Sequence, residues 1–166
     1  MLGDKAETFK IRYKIINHSK QTKAVAAIEN TRIKPDGIAF FPMGDTEPSS
    51  GLFYPLEVEV INGVLWHKFA PEKIRQDHHK VMADGKEGWL AYSKGSYLFV
   101  QRFADSPADK APDTEREVEI FGHMDRTFAE LKHQSALHQL APGESFEYEV
   151  EWQVKKLPAD IESAIG

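Results

Sequence analysis

The sequence contains no cysteine among its 166 residues. This absence excludes disulfide bonds, thiolate nucleophiles and cysteine-ligated metals. The sequence also has no apolar run as long as a membrane-spanning helix, and its Lys and Arg residues do not cluster as they do in proteins that neutralise phosphates. We therefore expect neither a membrane nor a nucleic acid as a partner.

The first residues, Met1 to Glu7, lack the basic and apolar regions of a secretory signal peptide. As written, the chain is expected in the cytoplasm, and removal of a leader would instead imply the periplasm or secretion. The composition is 41% hydrophobic and 28% charged, with a formal net charge of -5, which is typical of a soluble globular protein. The length suits one domain, and we predict a single β-sandwich domain over residues 1–166.

The last part of the sequence alternates strictly between apolar and polar residues after the turn residues Pro142 and Gly143. Successive side chains of a strand point to opposite faces, so this pattern predicts a strand with one face in a core and one face in water. We expect Trp152 in that core. The apolar face consists of Phe146, Tyr148, Val150, Trp152 and Val154.

Shorter alternating or apolar segments, bounded by turn residues, predict further strands. Asn62-Gly63 lies between two of them and is the pair favoured in a two-residue type I′ hairpin turn. So many short strands separated by turns predict an all-β antiparallel sandwich. The predicted strands cover residues 8–16, 23–28, 37–42, 56–61, 64–69, 89–92, 97–103, 117–121 and 128–133.

Four further segments carry weaker signals. The turn formers of residues 17–21 predict a hairpin that pairs residues 8–16 with 23–28. Residues 71–85 predict a short helix, with an irregular loop as the alternative. The prolines and aspartates of residues 104–114 predict an exposed loop. Residues 125–139 favour a helix on propensity alone, but the strand-rich context favours a strand at 128–133.

Several segments of the sequence resemble the C-terminal part of galactose mutarotase-like proteins, and most of all a bacterial branch of that carbohydrate-active superfamily. The resemblance implies an antiparallel sandwich like part of the family's supersandwich, with its N-terminal strands absent from this chain. Ile11 to Pro42 is also similar to that branch. The segments that carry the main resemblance are Gly88–Tyr92, Leu98–Phe103, Glu117–Phe121, Phe128–Leu131 and Leu140–Glu144.

The resemblance implies a role for Glu130, which matches the family's catalytic glutamate. The family's paired histidines, one of them in a His-Pro-Tyr-Phe type motif, have no counterpart here. We therefore hypothesise a noncatalytic carbohydrate-recognition domain. Three alternatives stay open: a mutarotase or epimerase with Glu130 as the base, an assembly domain without a sugar site, and a purely structural pairing of Glu130 with Lys132.

Four further side chains are expected to bind the ligand beside Glu130: Arg102, His133, Trp66 and Trp89. Tryptophan rings can pack against the C–H faces of sugars, although a tryptophan in a strand is more often part of a core. Arg102 lies in a strongly apolar strand, so it is either paired in the interior or directed into a cleft. A mono- or oligosaccharide is the expected partner, and no cofactor is expected.

The seven histidines show no close-spaced ligand pattern such as His-Glu-x-x-His. The adjacent His78 and His79 would diverge in either a strand or a helix. His123, His133 and His138 could converge with Glu130 only through tertiary folding. No metal site is expected. Because half of the supersandwich is missing, a sheet face should be left open, and we expect a homodimer to cover it.

Overall fold

The computed structural model describes residues 7–75, 77–112 and 114–158, which form two packed β-sheets. The predicted all-β antiparallel sandwich is confirmed. Single 3₁₀ turns cover Pro71–Lys73 and Ala108–Lys110. In chain order, the strands of the described residues are β1 (Glu7–Ile16), β2 (Lys23–Val25), β3 (Ile28–Ile33), β4 (Ile38–Pro42), β5 (Tyr54–Pro55), β6 (Glu59–Ile61), β7 (Val64–Lys68), β8 (His79–Ala83), β9 (Trp89–Lys94), β10 (Tyr97–Arg102), β11 (Val118–Gly122), β12 (Ala129–Gln134), β13 (His138–Leu140) and β14 (Ser145–Lys156).

The strands of the large sheet follow the order β1-β14-β10-β9-β4-β7-β6, and those of the small sheet the order β3-β12-β11-β8-β5. Strands β13 and β2 form a separate pair. Neighbouring strands run antiparallel, except that β5 is parallel to β8. The final alternating segment is thus an interior strand, since β14 lies between β1 and β10.

The core lies between the two sheets. Leu90 and Val150 of the large sheet are fully buried there, as are Ile120 and Leu131 of the small sheet. Complete burial of one such side chain contributes about 1.5–3 kcal/mol. Trp152 faces this core, as predicted, and is partly buried against it.

The predicted hairpin between residues 8–16 and 23–28 is wrong. Strand β1 pairs with β14 along its whole length, whereas β2 pairs with β13 and β3 with β12. Charge explains the choice of partner, because three cations of β1 lie opposite three glutamates of β14. The facing pairs are Lys10 with Glu151, Arg12 with Glu149, and Lys14 with Glu147.

Two other hairpins are confirmed. Asn62 and Gly63 join β6 to β7 with φ angles of 52° and 76°, as a type I′ turn requires. Strand β6 begins only at Glu59, later than predicted. Strands β9 and β10 form the second hairpin, and β10 occupies the expected interior position between β9 and β14.

The short helix predicted for residues 71–85 is wrong. That segment contains a single 3₁₀ turn followed by β8. Both faces of β8 are covered, so its side chains are all buried and do not alternate in polarity. A covered strand that contains His79 and Lys80 carries little strand signal in sequence. The strand predicted at 128–133 is confirmed as β12.

A cluster of polar side chains is buried between the sheets around Glu29, and we call it the Glu29 cluster. Glu29 Oε1 accepts hydrogen bonds from Gln101 Nε2 at 2.9 Å and Trp152 Nε1 at 2.6 Å. Glu29 Oε2 accepts one from the Tyr13 hydroxyl at 2.9 Å. The donors come from β10, β14 and β1, so this carboxylate links the small sheet to three strands of the large one.

The hydrogen-bond donors around Glu29 stabilise its ionised form. Burial raises the pKa of Glu29, but the His133 ring 3.5 Å away and the hydrogen bonds from Trp152 and Tyr13 outweigh burial and keep the pKa below its usual value. Burial of the phenol, together with its hydrogen bond to the Glu29 carboxylate, raises the pKa of Tyr13 to about 12. Glu29 is therefore an ionised acceptor inside the sandwich at neutral pH.

One corner of the large sheet's inner face is open. Phe9 pairs with the partly buried Trp152 across β1 and β14 but is 59% exposed, and Tyr97 on β10 is 46% exposed. Exposed aromatic rings of this kind suit a protein interface. The predicted homodimer stays a prediction. In the described residues, no helix is long and apolar enough to cross a membrane.

Replacing Glu29 with Ala should lower the free energy of unfolding by about 2–4 kcal/mol, since it leaves the buried Trp152 and Gln101 donors without an acceptor. Urea unfolding followed by fluorescence measures this change. Glu149→Ala on the solvent side of β14 is the matched control, and it should change stability by less than about 1 kcal/mol because its ion pairs are exposed. Equal effects of the two substitutions would contradict the importance of the Glu29 cluster.

Candidate functional site

Glu130 is the second residue of β12 and points away from the core. Its neighbours Ala129 and Leu131 are fully buried between the sheets, so alternation directs Glu130 to the opposite side of the small sheet. We call this side the outer face. Glu130 is nevertheless largely covered there, with a side chain that is 10% exposed.

Both carboxylate oxygens of Glu130 accept hydrogen bonds from β3. Asn30 Nδ2 donates to Oε2 at 2.9 Å, and Arg32 Nε donates to Oε1 at 3.0 Å. Burial alone would raise the pKa of Glu130, but these two bonds and the charge of Lys132 outweigh burial and lower the pKa. Glu130 is therefore a fixed, ionised acceptor at neutral pH and a weak base.

A second carboxylate on the outer face joins two lysines. Glu119 on β11 accepts hydrogen bonds from Lys80 Nζ at 2.9 Å and from Lys132 Nζ at 2.6 Å. The side chain of Glu119 is 4% exposed. Glu130 is therefore paired with a neighbouring side chain, as the structural alternative expected, but the partner is Arg32 and not Lys132, which binds Glu119.

Rings form an aromatic row beside Glu130, made of Phe128, His123, His78 and Phe121. The Arg32 guanidinium lies 4.3 Å from the Phe128 ring, and His123 stacks on Phe128 at 4.4 Å. His78 lies 4.8 Å from His123 and 5.1 Å from Phe121. Phe121 is the cross-strand partner of Glu130, so the row begins and ends next to this carboxylate.

A shallow depression of about 120 Å³ opens in the outer face between β3, β12 and the residues before β11. Asn30, Glu119 and Lys132 contribute to its lining. Pockets that enclose a small molecule usually measure about 300–1,000 Å³. This depression is smaller than that, and Glu130 does not line it.

Glu117, just before β11, is a buried acid next to this depression. It is 2% exposed, and its Oε1 accepts a hydrogen bond from the Ser106 backbone N–H at 2.7 Å. Burial, reinforced by the nearby charges of Asp105 and Asp84, raises the pKa of Glu117 to about 7. Its Oε2 has no partner among the described residues. Perturbed carboxyls occur at functional sites and also in purely structural settings.

His133 does not join Glu130. It lies three residues later on β12, so its ring points into the core, where it is 1% exposed. Its Nδ1 lies 2.7 Å from the Tyr148 hydroxyl, and its Nε2 lies 3.5 Å from Glu29 Oε1. Burial lowers the pKa of His133. The expectation that His133 lines a site with Glu130 does not agree with this geometry.

Trp66, Trp89 and Arg102 come together elsewhere, on the side of the large sheet that faces away from the core. Trp66 stacks on Phe40 at 4.3 Å, and Trp89 meets the same ring edge-on at 6.0 Å. Arg102 is the cross-strand partner of Trp89 and is exposed, so it is neither paired in the interior nor directed into a cleft with Glu130. The five predicted residues thus occupy three separate places.

Two further features bear on the site. A cavity of about 540 Å³ lies near β5, β7 and the Pro71–Lys73 turn, and none of the five predicted site residues lines it. Among residues 7–75, 77–112 and 114–158, no group of three or more histidines and carboxylates is arranged to hold a metal ion.

Sequence reasoning missed the partners of Glu130. Asn30 and Arg32 reach it because β3 pairs with β12, a pairing that no local pattern indicates. No close-spaced pattern links His78 to His123 in the sequence, yet they flank β8 and β11, which are neighbours in the small sheet. The sequence pattern does not show that β8 and β11 are neighbours, and without that information the two histidines cannot be brought together.

The fold is that of galactose mutarotase-like proteins, as comparison with solved structures shows. A proposed aldose 1-epimerase from Klebsiella pneumoniae is similar over 95% of this chain, with a TM-score of 0.57 and 11% identity. A second proposed aldose 1-epimerase, from Escherichia coli, is similar over 90% of the chain, with a TM-score of 0.52 and 15% identity. At such low identities the likeness concerns the fold only.

The matched structures are longer than this chain. The chain spans 45% of the Klebsiella protein and 57% of the Escherichia protein. A TPR-domain containing protein from Parabacteroides distasonis is similar over 98% of this chain, with a TM-score of 0.60 and 17% identity, but the match spans 30% of that protein. By sequence, no family model and no curated protein matches the chain.

The raised pKa of Glu117 predicts a pH-dependent stability. The folded state holds this proton up to about pH 7, whereas the unfolded state releases it near the ordinary value of 4.5. Stability should therefore fall by roughly 3 kcal/mol as the pH rises from about 4.5 to 7. Urea unfolding across this range measures the fall.

The variant Glu117→Gln carries no titrating group at this position. Its stability should lack this fall and should exceed that of the wild type at pH 7 and above. If both proteins show the same pH dependence, Glu117 is not protonated in the folded state.

Proposed function

We propose that this protein is a carbohydrate-recognition domain that binds a sugar on the outer face of the small sheet, around Glu130. The observation that carries the proposal is the immobilised carboxylate itself. A carboxylate offers about four acceptor positions, and Asn30 and Arg32 occupy one on each oxygen of Glu130. The remaining positions suit the hydroxyl groups of a sugar.

The aromatic row supplies the second component of a sugar site. Sugar rings pack their C–H faces against aromatic side chains. Phe121 lies opposite Glu130 on β11, and Phe128 lies two residues before Glu130 in the chain. Both rings are partly exposed. The description of fold neighbours as aldose epimerases supports carbohydrate as the ligand class.

Recognition without catalysis fits the electrostatics of Glu130 better than base catalysis does. A general base works best with a pKa near the working pH, whereas the pKa of Glu130 is lowered. The carboxylate is suited to accept hydrogen bonds from hydroxyls and poorly suited to remove their protons.

Titration calorimetry with a panel of mono- and oligosaccharides tests the proposal. At least one sugar should bind, and Glu130→Gln should weaken it by about 10- to 100-fold, because a hydrogen bond to a charged acceptor contributes about 1.5–3 kcal/mol. Absence of heat for every sugar would refute the proposal.

Two control variants locate the binding surface. Glu149→Gln, on the solvent side of β14, should leave the affinity unchanged. Trp66→Ala removes a ring from the other predicted platform, on the large sheet, where Trp89 and Arg102 also lie. If Trp66→Ala abolishes binding and Glu130→Gln does not, the sugar binds to the large sheet.

A mutarotase is the second candidate function. The observation in its favour is that two histidines, His78 and His123, lie side by side in the aromatic row that borders Glu130. Such a pair could donate protons while Glu130 accepts one.

Polarimetry of freshly dissolved α-galactose tests this candidate. A mutarotase should speed anomer exchange, and Glu130→Gln, His78→Gln and His123→Gln should each slow it by at least about 100-fold, as the loss of an acid or base group does. Exchange at the uncatalysed rate with the wild type would exclude the candidate and leave recognition alone.

A further inference from the structure

The two histidines of the aromatic row present the same nitrogen to solvent. His78 Nδ1 accepts the backbone N–H of Met124 at 3.2 Å, and His123 Nδ1 accepts the backbone N–H of Asp125 at 3.2 Å. An imidazole whose Nδ1 accepts a hydrogen bond carries its proton on Nε2. Each ring therefore offers an Nε2–H donor, and the ring centres are 4.8 Å apart.

The other polar groups of the outer face also leave donors unused. Arg32 uses Nε to bind Glu130, so its two terminal nitrogens remain, and its side chain is 69% exposed. Lys132 donates to Glu119 and is 30% exposed, with two further N–H groups. Glu119 itself is almost fully covered by Lys80 and Lys132, so it offers little to a ligand.

The polar groups of the outer face therefore favour a ligand rich in hydrogen-bond acceptors. The exposed donors are the two histidines, the terminal nitrogens of Arg32 and the ammonium group of Lys132. The acceptors are Glu130, whose side chain is 10% exposed, and Asp125, whose side chain is 69% exposed and whose Oδ2 lies 3.6 Å from His123 Nδ1. A neutral sugar offers hydroxyl oxygens to these donors but no negative charge, whereas a ligand carboxylate offers charged acceptors.

We propose that the sugar bound on this face is a uronic acid, whose carboxylate is held by the Nε2–H groups of His78 and His123. This inference rests on the proposed function, since it names the class of sugar that the Glu130 surface takes. Arg32 and Lys132 add attraction at longer range. Glu130 then accepts hydrogen bonds from ring hydroxyls, away from the carboxylate of the ligand.

D-galacturonate and D-galactose are a matched pair of probes, because they differ only in the group at C6. Calorimetry at low salt should show galacturonate binding about tenfold more tightly than galactose, since a charge-assisted hydrogen bond exceeds a neutral one by about 1.4 kcal/mol, which is tenfold in affinity. The difference should shrink at high salt, because the arginine and lysine contributions are screened.

The double variant His78→Phe/His123→Phe keeps two aromatic rings in the row and removes both donors. It should bind galacturonate no more tightly than galactose, so that the preference of the wild type for galacturonate is lost. His138→Phe is the control, since His138 stacks on Phe146 away from the outer face. It should change neither affinity.

A measurement on the unmodified protein complements the variants. In histidine side-chain NMR, galacturonate should shift the Nε2 resonances of His78 and His123 but not that of His138. Galactose should shift none of these three resonances. Equal affinities of the wild type for the two sugars would overturn the uronic acid inference and leave the recognition proposal standing. Absence of binding by both sugars, and by the rest of the panel, would overturn both.

Discussion

The buried carboxylate of Glu29 is the interaction on which the arrangement of the two sheets depends. An ionised group between sheets is tolerated only when donors surround it, and the donors here come from β1, β10 and β14. A strand shifted by one residue turns every side chain to the other face. A slip of β3 would therefore take Glu29 out of the core and leave Trp152 and Gln101 without their acceptor.

The same constraint places the partners of Glu130. Because Glu29 must face inward, Asn30 must face outward, and Arg32 follows it on the same side two residues later. The donors that fix Glu130 on the surface are thus set by an ion in the interior. Side chains of the six-residue strand β3 point alternately into the core and toward the candidate site, and this alternation couples the two regions.

Local sequence patterns predicted most of the strands, but they did not predict which strands pair or which residues meet at the candidate site. The complementarity between Lys10, Arg12 and Lys14 and the glutamates of β14 was visible in sequence and would have corrected the false hairpin. The alternation of side chains along β12 is enough to place Glu130 and His133 on opposite faces, since residues three apart on a strand point in opposite directions. The approach of His78 to His123 was beyond prediction, because β8 is covered on both faces and its pattern does not alternate.

The basic side of β1 also bears on how copies of the protein can meet. Strand β1 is ten residues long and is an edge strand of the large sheet. Exposed edge strands can pair with those of other copies and so form fibres. If two copies met antiparallel along β1, Lys10, Arg12 and Lys14 of one would oppose the same cations of the other. The residues that select β14 as the partner within the chain thus disfavour edge-to-edge pairing of copies along β1.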